Sequence, residues 1–145
     1  MSMPDNPFLG LLGARLVHWD HGQCEWQLDI APYHLNSQGS LQGGVIATLL
    51  DVACGYSVFF HAADEPPART ATISLTIHYL ARVDGGRVVA RGRRIGGGKA
   101  IFFAEAELLD EAGGTIAKAS GSFRSKRRSD PGRSARHQSR DTSFP

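Results

Sequence analysis

The chain has 145 residues, 41% hydrophobic and 21% charged, with a formal net charge of +2, which suits one domain that buries roughly two thirds of the surface its unfolded form exposes. Two cysteines, Cys24 and Cys54, and no signal-peptide pattern argue against a disulfide framework and for reduced thiols in a cytoplasmic protein. The histidines are scattered, without Cys-x-x-Cys or His-x-x-x-His spacing, so no metal site is expected.

In chain order, Cys24, Trp26, Leu28 and Ile30 alternate with Glu25, Gln27 and Asp29, a strand with one wet face. Residues 43–60, GGVIATLLDVACGYSVFF, form the one long helical candidate, apolar all round as in a buried helix, with Asp51 its single charge. A bilayer span is the rival reading, but a central Asp costs about 2.5 to 3.5 kcal/mol on insertion. TATISLTIHYL then places Ile73, Leu75, Ile77 and Tyr79 on one strand face and Thr72, Ser74, Thr76 and His78 on the other. Two further strands are expected at residues 100–109 and 115–124. Phe102, Ala104, Ala106 and Leu108 share a face of the first, and Ala117, Ala119, Gly121 and Phe123 a face of the second. DHG at 20–22, DGG at 84–86, GGGK at 96–99 and DEAGG at 110–114 read as hairpin turns. The pattern predicts an α+β domain with its helix packed on an antiparallel sheet.

Residues 124–145 hold seven Arg or Lys against two Asp, while residues 1–123 hold nine against twelve acidic residues. We assign residues 1–125 to the folded domain and residues 126–145 to a basic, disordered tail. A short charge run without interleaved aromatics is weak evidence for nucleic acid, and a solubilising extension is the better account.

Asp51 carries the functional question, because an ionised carboxylate in apolar surroundings is costly unless paired. The helix begins at a polar loop, HLNSQGSLQGG, so its first free N–H groups lie near Gly43 and Gly44. Those glycines either allow a tight loop-to-helix junction or let a substrate carbonyl approach the backbone.

The stretch NSQGSLQGGVIATLLD, from Asn36 to Asp51, resembles the helix-entry motif of hotdog-fold acyl-CoA thioesterases of the phenylacetic-acid-degradation type. The resemblance spans roughly residues 8–125. It implies a long curved antiparallel sheet wrapped round the central helix, and assembly as homodimers and often as tetramers built from two dimers. It also implies hydrolysis of an acyl-CoA or aryl-CoA thioester without a metal or redox cofactor, CoA being part of the substrate. By the same resemblance Asp51 is the general base or nucleophile, the Gly43 N–H polarises the carbonyl, and Asn36 orients substrate or water. Thr72 aligns, by the same resemblance, with a Ser or Thr lining the site. Gln42 departs from the family, which has His there; an amide still donates a hydrogen bond but carries no proton at neutral pH.

Eight residues separate Gly43 from Asp51, about 12 Å along an α-helix, so one thioester meets both only if they come from two subunits. Arg91, Arg93, Arg94 and Lys99 flank a Gly-rich turn and are candidates for the nucleotide phosphates, with a charged strand edge as the bland alternative. A hotdog hydratase or dehydratase needs a His near the helix that SLQGG lacks. A non-catalytic acyl-CoA-binding module that lost the chemistry with the His at 42 is the second alternative.

Overall fold

A computed structural model describes residues 6–60, 62–65 and 68–127. A short helix, α1 (Pro7–Leu12), comes first, its start capped by the Asn6 side chain and its end closed by Gly13 at φ 82°. Strands β1 (Arg15–Asp20) and β2 (Gln23–Asp29) form a hairpin, and the chain then passes through a 3-10 turn at Pro32–His34 into α2 (Gly43–Val58). Four strands follow: β3 (Ala68–Tyr79), β4 (Arg87–Gly97), β5 (Ile101–Leu109) and β6 (Thr115–Arg127). They complete one antiparallel sheet in the order β1-β2-β4-β5-β6-β3, with α2 against one face. This is the α+β, helix-in-sheet architecture of the hotdog fold.

The predicted alternation sets the inner face. Cys24, Trp26 and Leu28 of β2, Ala104, Ala106 and Leu108 of β5, and Ala117, Ala119 and Phe123 of β6 are buried, facing Ile46, Leu49, Leu50, Ala53 and Cys54 of α2. The alanines leave the room that the helix fills. At its far end Trp19, Tyr56, Phe59 and Phe60 pack as tilted and edge-on rings, and the Trp19 indole N–H donates to the Tyr56 carbonyl at 2.8 Å.

Three expectations need correction. The DGG at 84–86 is not a hairpin, because β3 lies at the sheet edge beside β6 while β4 lies between β2 and β5. The connection instead crosses the sheet, with Leu41 N–H donating to Val83 C=O and Ile30 N–H to Gly86 C=O. Turn residues specify a reversal of the chain but not which strand becomes the neighbour. Secondly, Thr72 does not share a face with Ser74. A β-bulge between them shifts the register, pairing Thr72 with the inward Phe123 and Ser74 with Ser122, and leaves Ile73 53% exposed. Thirdly, β6 runs past the expected boundary at 125, because Lys126 and Arg127 pair in register with Arg69 and Ala68. The rest of the basic tail, from residue 128, lies outside the described residues.

Helix and sheet approach closely at Gly92 of β4, where a Cβ would overlap the carbonyl of Ala53. That carbonyl also accepts the Cys24 thiol at 2.9 Å. Gly92→Ala should therefore lift the helix off the sheet and cost several kcal/mol, about 3 or more. Urea denaturation measures this, and a loss under about 1 kcal/mol would mean that the contact relaxes easily.

Burial pushes both thiols up to about 12, with Cys54 adding to the effect on Cys24 and Asp51 to that on Cys54. The folded state thus holds protons that the unfolded chain releases near 9.0. Their contribution to stability is full below pH 9 and is lost as pH rises toward 12. The urea midpoint should fall across that window, and neither folded thiol should react with a thiol reagent at pH 8.

Candidate active site

The loop ahead of α2 is held from both sides. Asn36 Oδ1 accepts from the N–H groups of Gln38 (2.9 Å) and Ser40 (3.1 Å), closing a tight turn. Arg82 grips the same loop, its Nε donating to Ser40 Oγ at 2.6 Å and a terminal nitrogen to Gln38 C=O at 3.1 Å. His34, 1% exposed, ties it to the N-terminal helix. Its Nδ1 accepts the Ala31 N–H at 2.9 Å, which leaves Nε2 to donate to Leu12 C=O at 2.8 Å, and its carbonyl accepts Gln42 N–H at 2.9 Å.

Gln42 is extended (φ −60°, ψ 135°) and exposed, and its side chain does not cap the helix. Its carbonyl takes the N–H groups of Val45 (3.0 Å) and Ile46 (3.2 Å). The N–H groups of Gly43 and Gly44 have no acceptor among the described residues, and they stand at the positive end of a 16-residue helix. Neither glycine has a positive φ. A Cβ on Gly44 would meet nothing within 4 Å, and one on Gly43 would make ordinary contact with the Tyr79 ring at 3.6 Å. A tight junction therefore does not require them.

Asp51 lies two turns further along α2, half buried, with Oδ1 accepting from the Thr72 hydroxyl at 2.7 Å. The bulge at residue 73 turns Thr72 toward the helix and so makes this bond possible. One carboxylate oxygen is thereby oriented while Oδ2 makes no hydrogen bond among the described residues. At the other end of β3, Tyr79 donates its hydroxyl to Gly43 C=O at 3.0 Å.

The four candidate phosphate ligands are not brought together. Arg91 and Arg93 lie on the outer face of the sheet, paired with Glu25 at 3.1 Å and with Glu105. Arg94, just before the β4 bulge and paired with the inward Ala104, has its guanidinium over the Phe102 ring, 4.4 Å from the centroid, and Lys99 is exposed in the β4–β5 turn. Tyr79, Arg82 and His34 are the positioning residues that the sequence reading missed. No local signal marks them, since each acts on a segment distant in sequence or through a fold-dependent turn. Among the described residues no group of three His, Cys, Asp or Glu side chains is arranged to hold a metal ion.

A hotdog sheet whose helix starts at two unpartnered N–H groups and carries one carboxylate two turns on defines the class. Residues 38–117 match the Thioesterase superfamily. A Pseudomonas aeruginosa protein named as an esterase is 35% identical over 122 residues, covering 81% of this chain and 87% of its own. The chain belongs to the thioesterase superfamily. Among solved structures, the conserved protein PA5202 of Pseudomonas aeruginosa is 26% identical, with a TM-score of 0.75 over 84% of this chain and 95% of its own. The PaaI protein of the E. coli phenylacetic acid degradation operon shares the fold at 21% identity, TM-score 0.75, over 86% of each chain.

Gly44→Ala tests whether the fold needs the second glycine. With helical φ and open space at Cβ, the variant should keep its thermal midpoint or gain up to about 1 kcal/mol. A lowered midpoint in thermal denaturation would return Gly44 to a structural role.

Proposed function

We propose that the protein hydrolyses an acyl-CoA or aryl-CoA thioester to the free acid and CoA, in sites shared by two copies of the chain. The observation that carries this reading is the oriented Asp51 carboxylate, bonded to Thr72 on a strand that forms the sheet edge. That edge strand, β3, is 12 residues long and contains no proline, lysine or acidic residue, the usual devices that blunt an edge. Antiparallel pairing of β3 with β3 of a second copy would set the two α2 helices side by side and head to tail. Asp51 of one copy would then approach Gly43 of the partner subunit, which the ~12 Å separation along one helix prevents within a single chain.

In such a site the thioester oxygen accepts from the Gly43 N–H, whose partial positive charge stabilises the oxyanion. Asp51 either takes a proton from water as the water oxygen bonds to the carbonyl carbon, or bonds to that carbon itself to give an anhydride that water then opens. In both routes the C–S bond breaks and the thiolate leaves as CoA and is protonated; in the first the acid gains the oxygen of water, and in the second water opens the anhydride, releasing the acid and restoring the Asp51 carboxylate. Asn36 and Gln42 border the carbonyl end, Thr72 holds the carboxylate, and Gly44 offers a second N–H.

Asp51→Asn should keep the fold and substrate affinity while kcat for acyl-CoA falls by at least about a thousandfold, as read by thiol release across short, long and aromatic acyl chains. Near-native turnover would remove Asp51 from the chemistry. Mixing Asp51→Asn with Gly43→Val should restore up to about a quarter of wild-type activity, because half of randomly exchanged dimers carry one intact site. Native mass spectrometry verifies exchange. Verified hybrids without activity would refute the shared site.

A further inference from the structure

Thr72 and Tyr79 stand seven residues apart on β3, an odd spacing that puts two side chains on opposite faces of a regular strand. The extra residue at the bulge, Ile73, reverses the alternation, so that Thr72 pairs with the buried Phe123 and Tyr79 with the buried Ala117, and both turn toward α2. One strand thereby reaches the Asp51 carboxylate with one hydroxyl and the Gly43 carbonyl with another, at 2.7 and 3.0 Å. The Tyr79 ring lies along the side of Gly43 where a Cβ would project, with Cε1, the hydroxyl oxygen and Cζ at 3.6, 3.7 and 3.8 Å from that position.

The Gly43 carbonyl belongs to the same planar peptide unit as the Gly44 N–H. A carbonyl has two lone pairs, so the phenol adds a bond there without displacing the helix ladder. The neighbouring units of the first turn are arranged differently. The unit that carries the Gly43 N–H ends on the Gln42 carbonyl, which takes the N–H groups of Val45 and Ile46. The Gly44 carbonyl takes the Thr48 hydroxyl at 2.8 Å, but the N–H of that unit, on Val45, is already bonded to Gln42. Among the described residues, the 43–44 unit alone in this turn joins an open N–H to a carbonyl held by a side-chain donor. We infer that Tyr79 is a positioning residue for the carbonyl-binding end of the site: it fixes the plane of the 43–44 peptide and, by donating to its oxygen, makes the Gly44 N–H a stronger donor. Tyr79 is 54% exposed, so water competes for the same bond and its net contribution to stability is small; what it supplies is orientation and polarisation. The consequence for turnover rests on the thioester reading, whereas the consequence for the Gly44 amide does not.

Tyr79→Phe provides the test, because it leaves the ring over the flank of Gly43 and offers the carbonyl no donor. In the full chain carrying isotope-labelled glycine, the Gly44 amide proton should move upfield in a heteronuclear correlation spectrum, as a less polarised N–H does. The Gly43 amide, whose peptide unit ends on the Gln42 carbonyl, should hold its place. Loss of the peak in Gly44→Ala assigns it. The thermal midpoint should stay within about 3 °C of wild type. Removing an oxyanion donor outright costs about a hundred- to a thousandfold in kcat, so loosening and weakening one of two should lower kcat for an acyl-CoA by about three- to tenfold, with KM within about twofold. If the wild type releases no thiol from any acyl-CoA, the thioester reading fails and the amide spectrum alone decides the role of Tyr79. An unmoved Gly44 amide in folded Tyr79→Phe would overturn the inference. So would a midpoint lowered beyond that range, which would make Tyr79 a structural support, or a raised KM at unchanged kcat, which would make it a substrate contact.

Discussion

The contact of the Ala53 carbonyl with Gly92 governs the distance between α2 and the sheet. A helix carbonyl ordinarily reaches no further than its own helix, but here it also accepts the Cys24 thiol from β2 while resting on β4. Helix and sheet can approach this closely only where β4 lacks a side chain. Because interiors pack at crystal-like density, that distance passes to every layer around it. The small inner residues Ala104, Ala106, Ala117 and Ala119 follow the same requirement, being strand positions that must leave space for a helix. The buried thiols belong to this packing and are held neutral by it.

A helix fixed at its middle has two ends with different chemistry. Its start is left without a side-chain cap, and the segments that hold it there, Asn36, Arg82, His34 and Tyr79, all satisfy other groups and leave the first two N–H groups open. Its carboxylate, two turns on, is oriented by a strand whose outer edge is itself unpaired. An anion-seeking end and a carboxylate so far apart cannot serve one small group from one chain. Under the proposed function, each chain supplies two half-sites, and β3, the edge strand that carries Thr72 and Tyr79, is the element through which two copies join.

The charges divide the sheet in the same way. Arginines flanking the β4 turn look in sequence like one cationic cluster, but strand alternation distributes them over two faces. Arg91 and Arg93 meet carboxylates of neighbouring strands, and exposed pairs of that kind add little to stability by themselves.

Much was legible from local pattern. Period-2 alternation marked β2, β5 and β6 and the side each buries, the eighteen apolar residues marked α2, and Asp51 stood out because no other charge interrupts that run. The resemblance carried by Asn36 to Asp51 pointed to the superfamily for the same reason: helix entry, glycine pair and carboxylate are contiguous in sequence. α1 was also readable, from Asn6, Pro7 and Gly13, and was missed. Strand order was not readable, because nothing in DGG says that β4 must leave β3 and insert beside β2. Nor was the inward turn of Thr72, which depends on one unpaired residue in the ladder with β6, or the grip of Arg82 and Tyr79 on a loop and helix some forty residues earlier. Sequence determines what is local, a residue's periodicity and its immediate backbone. Only tertiary structure decides which distant groups share a distance of 3 Å, because hydrogen bonding and close packing act through space and not along the chain.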